Sequence, residues 1–514
     1  MFSKVKSCAV HGVDGRMIDV EADVNDGLPV FTMVGYLSSS VREASERVRT
    51  ALKNSGFHLP PKRITINLSP ADMRKDGSGY DLAIATAVLL SLGVTAELPM
   101  EQTLVLGELS LDGSIKAIPG VLPMVICARE EGMTSCIVPK ENVQEAALVQ
   151  GISVIGVSSL QETMEYIQGI KEYENTNVRK PAVDTSEYLY DIDFSDVAGQ
   201  ESIKRGMEIA AAGFHNVLLT GAAGAGKSML AKRLPTILPQ MSFEESLEVT
   251  KIYSVGGMLP PEGGLIHRRP FRAPHHTISE YALIGGGRVP TPGEVSFAHY
   301  GVLFLDELPE FSKPVLEVMR QPLEDRRIRI SRVQASYEFP ADFMFVAAMN
   351  PCPCGNYPDY RRCSCTEQQI RRYQSKVSGP LLDRIDIRME VKGVKQEVLF
   401  SKQKTESSKT IRARVEQARQ MQKERFAGTG LLFNSQLDGK NLEEYITLSA
   451  EGKRLVLQLF EEQELSVRGV HRVLKLARTI ADLAGSEEIE NAHLQEAAFY
   501  RNQDVFAKEV LYGN

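Results

Sequence analysis

The chain has 514 residues, which is too long for one hydrophobic core, so we expect two to four domains. The sequence offers neither the apolar run that a membrane span needs nor the pattern of a signal peptide, so we expect a cytoplasmic protein without membrane contact. The net charge of −7 excludes nucleic-acid binding through the overall field, so any such contact must use local basic stripes.

The first region, residues 1–168, alternates strand-like and helical segments and therefore predicts an α+β domain. Ile64–Pro70 has the pattern of a strand, Asp81–Gly93 that of a buried helix, and Thr103–Gly113 that of a hairpin. Residues 169–192 are polar, with little apolar surface to bury, and are predicted to form a linker.

The second region, residues 193–400, contains three short apolar strands that end in glycine or polar residues. These are Val217–Gly221, Val302–Glu307 and Phe343–Asn350. Helical patterns separate them, which predicts an α/β domain with a parallel sheet. Residues 401–514 have a helical pattern throughout and are predicted to form an all-α lid.

Residues 221–228 match the P-loop pattern G-x-x-x-x-G-K-[ST] between a predicted strand and a predicted helix. Small residues let backbone N–H groups surround phosphates, and the helix N-terminus adds partial positive charge. Lys227 is predicted to reach the β- and γ-phosphates of ATP and Ser228 to hold Mg²⁺; the alternative is a glycine-rich turn that fits by chance. The predicted ATP-binding residues here are Gly221, Ala222, Ala223, Gly224, Ala225, Gly226, Lys227, Ser228 and Met229.

Asp306 and Glu307 follow a buried strand, where side chains point from the sheet edge toward a ligand. Alone, such a pair is more often a helix cap. Together with a P-loop, it predicts that Asp306 completes the Mg²⁺ shell and that Glu307 polarises the attacking water.

The segment Gly379–Ile387 (GPLLDRIDI) and the strand that ends at Asn350 resemble the magnesium-chelatase-like branch of AAA+ proteins. The resemblance implies that Asn350 orients the lytic water. It also implies that Arg384 is an arginine finger, which a neighbouring subunit inserts beside the γ-phosphate. The alternative for Arg384 is an ion pair with Asp383 or Asp386.

Two further segments match the same AAA+ branch. Ser466–Gly469 (SVRG) resembles its second sensor, which makes Arg468 the expected γ-phosphate contact and Arg472 the second candidate. Asp193–Gln200 (DFSDVAGQ) resembles the segment that lines the adenine pocket, with Val197 as the contacting residue. A simple helix entry capped by Asp196 would have the same sequence pattern.

Three long and unusual sequence segments resemble, more specifically, the competence-associated ComM/YifB family. They are Arg269–Ser279, Pro290–Phe311 and Asn350–Gly355. The resemblance implies an ATP-dependent homo-hexameric ring that moves along single-stranded or branched DNA. It also implies branch migration in natural transformation, with recombination proteins as candidate partners. Two alternatives remain open: a motor subunit of a magnesium-chelatase-type or protein-remodelling complex, and an ATP-dependent protease.

The segment Asp325–Ala335 alternates basic and apolar residues, so one face of a hairpin would be cationic. Its position before the strand that ends at Asn350 is similar to that of the pore hairpin in replicative helicases. Arg329 and Arg332 are therefore the candidate DNA-binding residues, although a solvated hairpin without a ligand would look the same. The glycine-rich segment Ile284–Gly293 is either a second DNA loop or a linker.

Four of the seven cysteines form the pattern C-x-C-x₈-C-x-C. Four thiolates on one short excursion suit a tetrahedral structural Zn²⁺, and four reduced thiols without metal are the alternative. The candidate ligands are Cys352, Cys354, Cys363 and Cys365.

In the first region, Ser69–Ala87 and Leu106–Ala128 resemble the proteolytic domain of Lon proteases, a fold like ribosomal protein S5 domain 2. The family's catalytic serine position holds Gly79, with Ser78 one place earlier, and its lysine position falls near Leu122. Without the Ser/Lys dyad there is neither an activated nucleophile nor its base, so we expect a domain retained for assembly or partner binding.

Overall fold

The computed structural model describes residues 1–172, 190–260, 264–332, 335–393, 405–463 and 465–501. Most of the predicted linker, 169–192, lies outside these ranges. Among the described residues, none of the helices combines the length and the apolar character that crossing a bilayer requires.

The N-terminal domain is a seven-stranded mixed sheet with helices packed on it. Its strands are β1 (Phe2–His11), β2 (Asp14–Asn25), β3 (Phe31–Val34), β4 (Arg63–Ser69), β5 (Thr103–Val105), β6 (Glu108–Leu109), β7 (Ile115–Lys116), β8 (Ser135–Pro139) and β9 (Ser153–Val157). Its helices are α1 (Ser39–Arg42), α2 (Ala44–Asn54), α3 (Asp81–Ser91), α4 (Val121–Glu130), α5 (Val143–Ala146) and α6 (Leu160–Ile167). The sheet order is β3-β4-β2-β1-β5-β8-β9, and β6 pairs with β7 in a separate ribbon.

Hydrophobic periodicity explains this layering. Strand β2 buries every second residue, so one of its faces covers the core and the other carries charges. Helix α3 has buried residues on all sides, as expected for a helix enclosed by the sheet and its neighbours. The predicted strand and buried helix of this region are therefore confirmed within two residues at their ends.

The central domain is a five-stranded parallel sheet in the order β11-β14-β17-β10-β18. Its strands, with two small hairpins, are β10 (Val217–Thr220), β11 (Phe271–Arg272), β12 (Gly285–Gly286), β13 (Thr291–Pro292), β14 (Val302–Leu305), β15 (Arg327–Ser331), β16 (Ser336–Pro340), β17 (Met344–Met349) and β18 (Ile387–Glu390). Its helices are α7 (Glu201–Gly213), α8 (Lys227–Arg233), α9 (Phe243–Val255), α10 (Glu280–Ile284), α11 (Glu294–Phe297), α12 (Lys313–Val318), α13 (Arg320–Asp325), α14 (Glu367–Gln374) and α15 (Gly379–Leu382). This is the α/β architecture that the sequence predicts.

The C-terminal region is helical within its described residues. The helices are α16 (Ser408–Arg425), α17 (Gly439–Tyr445), α18 (Ala450–Glu462), α19 (Val467–Leu483) and α20 (Asn491–Arg501). Buried residues of α16, α19 and α20 share one hydrophobic core with α7 and the central sheet. The C-terminal helices are thus packed firmly on the central domain.

The N-terminal domain packs against the central domain through helices α4 and α9. Gly120 N donates to Ser254 O at 3.0 Å, Lys251 pairs with Asp14 at 3.0 Å, and the Ser254 hydroxyl donates to the buried Glu145. Burial raises the pKa of Glu145 despite its hydrogen bonds. A buried, hydrogen-bonded carboxyl at the boundary holds the two domains in a defined relative position.

Candidate functional site

Three loops meet at the carboxyl edge of the central sheet. Residues 221–226 follow β10, Asp306 and Glu307 follow β14, and Asn350 follows β17. Since these strands are parallel, neighbouring and in register, their following loops lie side by side. Such an edge is where α/β sheets bind nucleotides, and residues 221–228, Asp306, Glu307 and Asn350 are brought together there.

The backbone of the phosphate-binding loop depends on its glycines. Gly224 and Gly226 have φ angles of 78° and 95°, a region that favours glycine. A Cβ at Gly221 would collide with the carbonyl oxygen of Val391. The loop then opens helix α8, so its N–H groups and the helix N-terminus point to one place, as phosphate binding requires.

Lys227 is buried beneath this loop. Its Nζ donates to Gly221 O at 2.6 Å, to Ala222 O at 2.9 Å and to Asn350 Oδ1 at 3.0 Å. Burial lowers the pKa of Lys227, while Asp306 and Glu307 oppose that shift. The Lys227 ammonium group thus binds carbonyl oxygens of the loop, a position that bound phosphate oxygens could take, and the Asn350 side chain lies beside it.

Ser228 and Asp306 form a hard-oxygen pair that fits Mg²⁺. The Ser228 hydroxyl donates to Asp306 Oδ2 at 2.6 Å, although 78 residues separate the two in the chain. Hydroxyl and carboxylate oxygens are the ligands that Mg²⁺ takes beside ATP phosphates. These two predicted Mg²⁺ ligands are thus placed together.

Glu307 has an unusual backbone for its residue type. Its φ is 53°, in the left-handed region that non-glycine residues adopt at a cost of about 1–3 kcal/mol. Its side chain is more than half exposed, and Oε2 lies 3.7 Å from Nδ1 of His276. Strain of this kind is typical of functional positions, and Glu307 occupies such a position directly after β14 at the carboxyl edge of the sheet.

His276 is a neighbour that sequence reasoning missed. It belongs to the string Arg269–Ser279, which marks the family resemblance but suggested no role for the histidine. The proximity of the two side chains follows from β11 running beside β14, which only the sheet order reveals. The His276 ring also lies edge-on to the ring of Phe311, with centroids 6.4 Å apart, and beside the ring of His275 at 4.1 Å.

Arg384 lies at the opposite edge of the sheet from the P-loop. Its carbonyl oxygen accepts a hydrogen bond from Asn216 Nδ2 at 2.9 Å, and Asn216 immediately precedes β10. The four residues of β10 span about 13 Å between the two edges. Arg384 donates to Glu324, so neither Asp383 nor Asp386 is its ion-pair partner among the described residues.

Arg468 and Arg472 lie on the same side as Arg384. The three guanidinium groups line one cavity of about 400 Å³ between the core and the lid. Burial lowers the pKa of Arg384, and the positive charges of Arg468 and Arg472 lower it further, against the effect of Glu324. The structure therefore does not bring Arg468 to the P-loop of its own chain, and Arg472 is held by Asp386 at 2.5 Å.

The segment Asp193–Gln200, predicted to line an adenine pocket, packs beside residues 221–226. Val197 is almost fully buried in the core of the central domain, and Asp193 forms a capping box with Asp196. Gln200 donates to the carbonyl oxygens of Ala225 and Lys392, each at 3.2 Å. The capping residue is therefore Asp193, at the start of a short 3-10 turn over Phe194–Asp196, and not Asp196 as the helix-entry alternative had it. The same segment lies beside residues 221–226 through Gln200.

The four clustered cysteines bring their sulfur atoms together. All four Sγ atoms lie within 4.8 Å of one another, and three pairs are separated by 3.4, 3.6 and 3.8 Å. Sulfurs about 2.3 Å from a tetrahedral metal are about 3.8 Å apart. The spacing therefore fits a tetrahedral metal site formed by Cys352, Cys354, Cys363 and Cys365.

The predicted basic hairpin is present as β15 and β16. Ile328 and Ile330 are buried while Arg327 and Arg329 are exposed, as the alternation predicts. Both arginines pair with Glu338, Arg329 at 3.0 Å, which offsets their charge.

Arg332 lies beyond β15 and donates to Gly287 O in the β12–β13 loop at 3.1 Å. The glycine-rich segment Ile284–Gly293, predicted to be a DNA loop or a linker, therefore forms a small hairpin that contacts the basic hairpin β15–β16.

The position corresponding to a protease site lies in a cleft of about 400 Å³. Ser78 and Gly79 line it, and the Ser78 hydroxyl donates to Glu108. Leu122 is fully buried on α4, and the buried Lys75 donates to the carbonyl oxygens of Pro70 and Met73. In this arrangement, Ser78 contacts a carboxylate rather than a lysine.

Together, the parallel sheet, the P-loop, the acidic pair and the helical lid define a magnesium-chelatase-like AAA+ ATPase. Family models for magnesium chelatase subunit ChlI match residues 193–399 and 20–142, and a model for its C-terminal part matches 405–501. The chain is 40% identical to the competence protein ComM of Haemophilus influenzae and 41% identical to YifB of Escherichia coli, covering at least 97% of each protein and of this chain.

The chain belongs to the ComM/YifB family of magnesium-chelatase-like proteins. Over 183 residues, it is also 30% identical to Lon protease 2 of Bacillus subtilis, a match that covers 32% of each chain. The predicted Lon-like character of the N-terminal region is thus confirmed as a likeness of sequence and fold.

Proposed function

We propose that the protein is a hexameric ATP-driven motor that moves along DNA and promotes branch migration during natural transformation and recombination. The carrying observation is the position of the β15–β16 hairpin in the chain, between strand β14, which Asp306 and Glu307 follow, and strand β17, which Asn350 follows. A hairpin in this place moves with the two residues that respond to the γ-phosphate. The relationship to a competence protein over nearly the whole chain supports the same proposal.

The ATP site is proposed to be shared between two subunits. One chain supplies Lys227, Ser228, Asp306 and Glu307, with bound Mg²⁺ neutralising charge on the phosphates. Arg384 cannot reach this edge in its own chain, so it acts on the γ-phosphate of a neighbour. Arg468 lines the same cavity and is proposed to act in trans as well, which differs from a sensor that closes over its own nucleotide.

Shared sites explain why a ring is proposed. A chain that presents its P-loop on one side and its arginines on the other makes head-to-tail contacts, and such contacts form a ring when the rotation from one subunit to the next closes. An Arg384 that reaches a neighbouring γ-phosphate would stabilise transition-state charge, an effect worth several powers of ten in rate in related reactions. ATP turnover would then depend on assembly.

The cysteine cluster is proposed to bind one structural Zn²⁺. Four thiolates in a tetrahedral arrangement are a usual ligand set for zinc, and the metal would cross-link the loop of residues 352–365 that follows Asn350. The site is closed by four protein ligands, so no open position remains for substrate, and its role is to hold this loop in shape. Proteins of this kind lose local structure when the metal is removed.

The test is ATPase activity of the full-length protein without DNA, with single-stranded DNA and with forked DNA. Stimulation by either DNA supports the motor, and a rate that is indifferent to both contradicts it. Arg332→Ala tests the hairpin, because it removes one phosphate contact and should lower the ratio of stimulated to basal rate. Arg63→Ala, an exposed arginine of the N-terminal domain, is the control for loss of one positive charge.

A further inference from the structure

A basic cleft lies between the N-terminal domain and the two hairpins of the central domain. It encloses about 250 Å³ and is lined by Arg16 and Arg74 from the N-terminal domain, by Arg288 from the β12–β13 loop and by Arg332. Four guanidinium groups from separate chain segments thus converge on one cavity of a protein whose net charge is −7. Such local concentration creates a positive potential that the overall charge does not predict.

The acidic groups facing the cleft do not neutralise it. Asp72 and Asp76 also line the cavity, and Arg74 Nε lies 3.2 Å from Asp76 Oδ2. In the described parts of the chain, no carboxylate lies within 4.0 Å of Arg16, Arg288 or Arg332. Two acidic side chains against four basic ones leave the cleft positive, with Arg16 and Arg288 exposed to an incoming anion.

Aromatic rings line the same cleft as these charges. Tyr36, Tyr337 and His11 line the same cavity, and the rings of His11 and Tyr337 stack with centroids 4.4 Å apart. Guanidinium groups grip a phosphodiester backbone, and aromatic faces accept unstacked bases. This combination is typical of surfaces that bind single strands rather than of sites for free phosphate, which need no rings.

The cleft has a fixed shape because the N-terminal domain is seated on the basic hairpin. The turn between β1 and β2 packs under β16, where a Cβ on Gly12 would lie 2.8 Å from the carbonyl oxygen of Glu338. His11 Nε2 lies 3.2 Å from Ser336 O. Only glycine allows so close an approach, so the turn and the hairpin form one unit.

We infer that this cleft binds the backbone of single-stranded DNA and that the N-terminal domain is therefore part of the DNA path. Arg16 and Arg288 contact phosphates, while Tyr36 and Tyr337 stack with bases beside Arg332. The inference rests on the proposed DNA function and extends it to a domain whose likeness is to proteases. Under this inference, the N-terminal domain binds DNA, whereas a protease domain binds a peptide substrate.

The experiment measures binding of a fluorescein-labelled oligo-dT to full-length protein by anisotropy, over a series of salt concentrations, with a non-hydrolysable ATP analogue present. Arg16→Ala and Arg288→Ala should each weaken binding about tenfold, the value of one good contact. Each should also reduce the slope of log affinity against log salt by about 0.7 per lost phosphate contact on a single strand. Arg16→Lys retains the charge and should recover most of the affinity.

Arg63→Ala is the matched control. Arg63 is an exposed arginine that pairs in register with Asn25 at the far end of β2, nine residues from Arg16 and thus about 30 Å away. If the wild type binds DNA and both Arg16→Ala and Arg288→Ala keep its affinity and salt slope, the inference that the cleft binds DNA is wrong, while the proposed motor function stands. Absence of DNA binding by the wild type would overturn both. Displacement of the oligonucleotide by inorganic phosphate at matched ionic strength would assign the cleft to a free anion and overturn the inference.

Discussion

At the scale of single residues, the ATP site depends on groups that are polar, partly buried and mutually in contact. Lys227 donates to Asn350, and Ser228 donates to Asp306, so the proposed phosphate-binding residue and the proposed Mg²⁺ ligands are each held by a neighbouring polar group. Preorganised contacts of this kind reduce the reorganisation that catalysis would otherwise require. Substitutions of these residues should therefore separate binding from hydrolysis.

Lys227→Ala and Glu307→Gln should both abolish ATP hydrolysis, by different routes. Loss of Lys227 removes a phosphate contact and should weaken nucleotide binding. Glu307→Gln keeps the shape of the side chain but removes the base, so it should bind ATP and retain the assembled ring. Nucleotide binding by fluorescence titration, together with the ATPase rate, distinguishes them. Hydrolysis at the wild-type rate by Glu307→Gln would show that another group polarises the water.

Asp386 should contribute strongly to the attachment of the lid. Burial opposes its ionisation, but Arg472 and His215 outweigh that effect and hold the pKa of this carboxyl below its ordinary value. Removing one partner of a buried pair costs about 3 kcal/mol, so Asp386→Asn should lower the free energy of unfolding by that amount at pH 7. Asp383→Asn is the control, because this neighbouring carboxylate is half-exposed and its only ion pair among the described residues is a long one, 3.9 Å from Arg501, so the change should cost less than about 1 kcal/mol.

The pH dependence of that difference has a definite sign. A carboxyl with a depressed folded-state pKa stabilises the protein above its unfolded-state pKa, about 3.9, and loses that contribution as the pH falls toward the folded-state value. The gap between wild type and Asp386→Asn should therefore be full at pH 7 and shrink below pH 4. Denaturant unfolding at several pH values measures it, and a gap that grows on acidification would contradict the assignment.

At the scale of elements, the cysteine loop and the basic hairpin show what a local pattern determines. The purified protein should carry about one zinc per chain, and chelation should lower its melting temperature because the loop of residues 352–365 loses its closure. Elemental analysis under reducing, chelator-free conditions measures the metal. Double replacement of Cys354 and Cys363 by serine should remove it, whereas Cys136→Ser, which changes a buried thiol outside the cluster, should not.

The sequence predicted elements well where periodicity is local and poorly where function depends on which elements meet. The strands ending at Gly221, Glu307 and Asn350 were readable because each is a short apolar run ending in polar or glycine residues. The contact between His276 and Glu307 was not, because it depends on the spatial order of β11 and β14. The pairing of Arg329 with Glu338 was hidden for the same reason, since strand register decides it.

At the scale of the whole molecule, the N-terminal domain packs on α9 and on the basic hairpin of the central domain. Under the proposed motor function, any movement of that hairpin during ATP turnover would involve the N-terminal domain. The resemblance to Lon proteases predicted the fold of the N-terminal domain but not its contact with the hairpin. His11 and Gly12, which make that contact, lie outside the segments Ser69–Ala87 and Leu106–Ala128 that resemble those proteases.

The N-terminal domain should have no peptidase activity. Gly79 occupies the serine position and the buried Leu122 the lysine position, so a peptide bond in the cleft would meet no activated nucleophile. Casein digestion by the full-length protein with ATP is the measurement, and no digestion is expected. Digestion that disappears in Ser78→Ala would show that Ser78 is the nucleophile and would revive the protease hypothesis.

The arrangement of Arg384 and Lys227 on opposite edges of the sheet makes the ring itself testable. Arg384→Ala subunits should bind ATP normally and fail to hydrolyse it, because the missing guanidinium belongs to the neighbour's site. Mixing them with Lys227→Ala subunits should restore partial activity. At a junction where a wild-type P-loop faces a wild-type arginine, one complete site forms, and random mixing in equal amounts places such junctions in most rings. ATPase rates of the two variants alone and mixed, at equal total concentration, give the result. Failure of the mixture to exceed either variant, while the wild type assembles and hydrolyses ATP, would contradict a shared site and with it the head-to-tail ring.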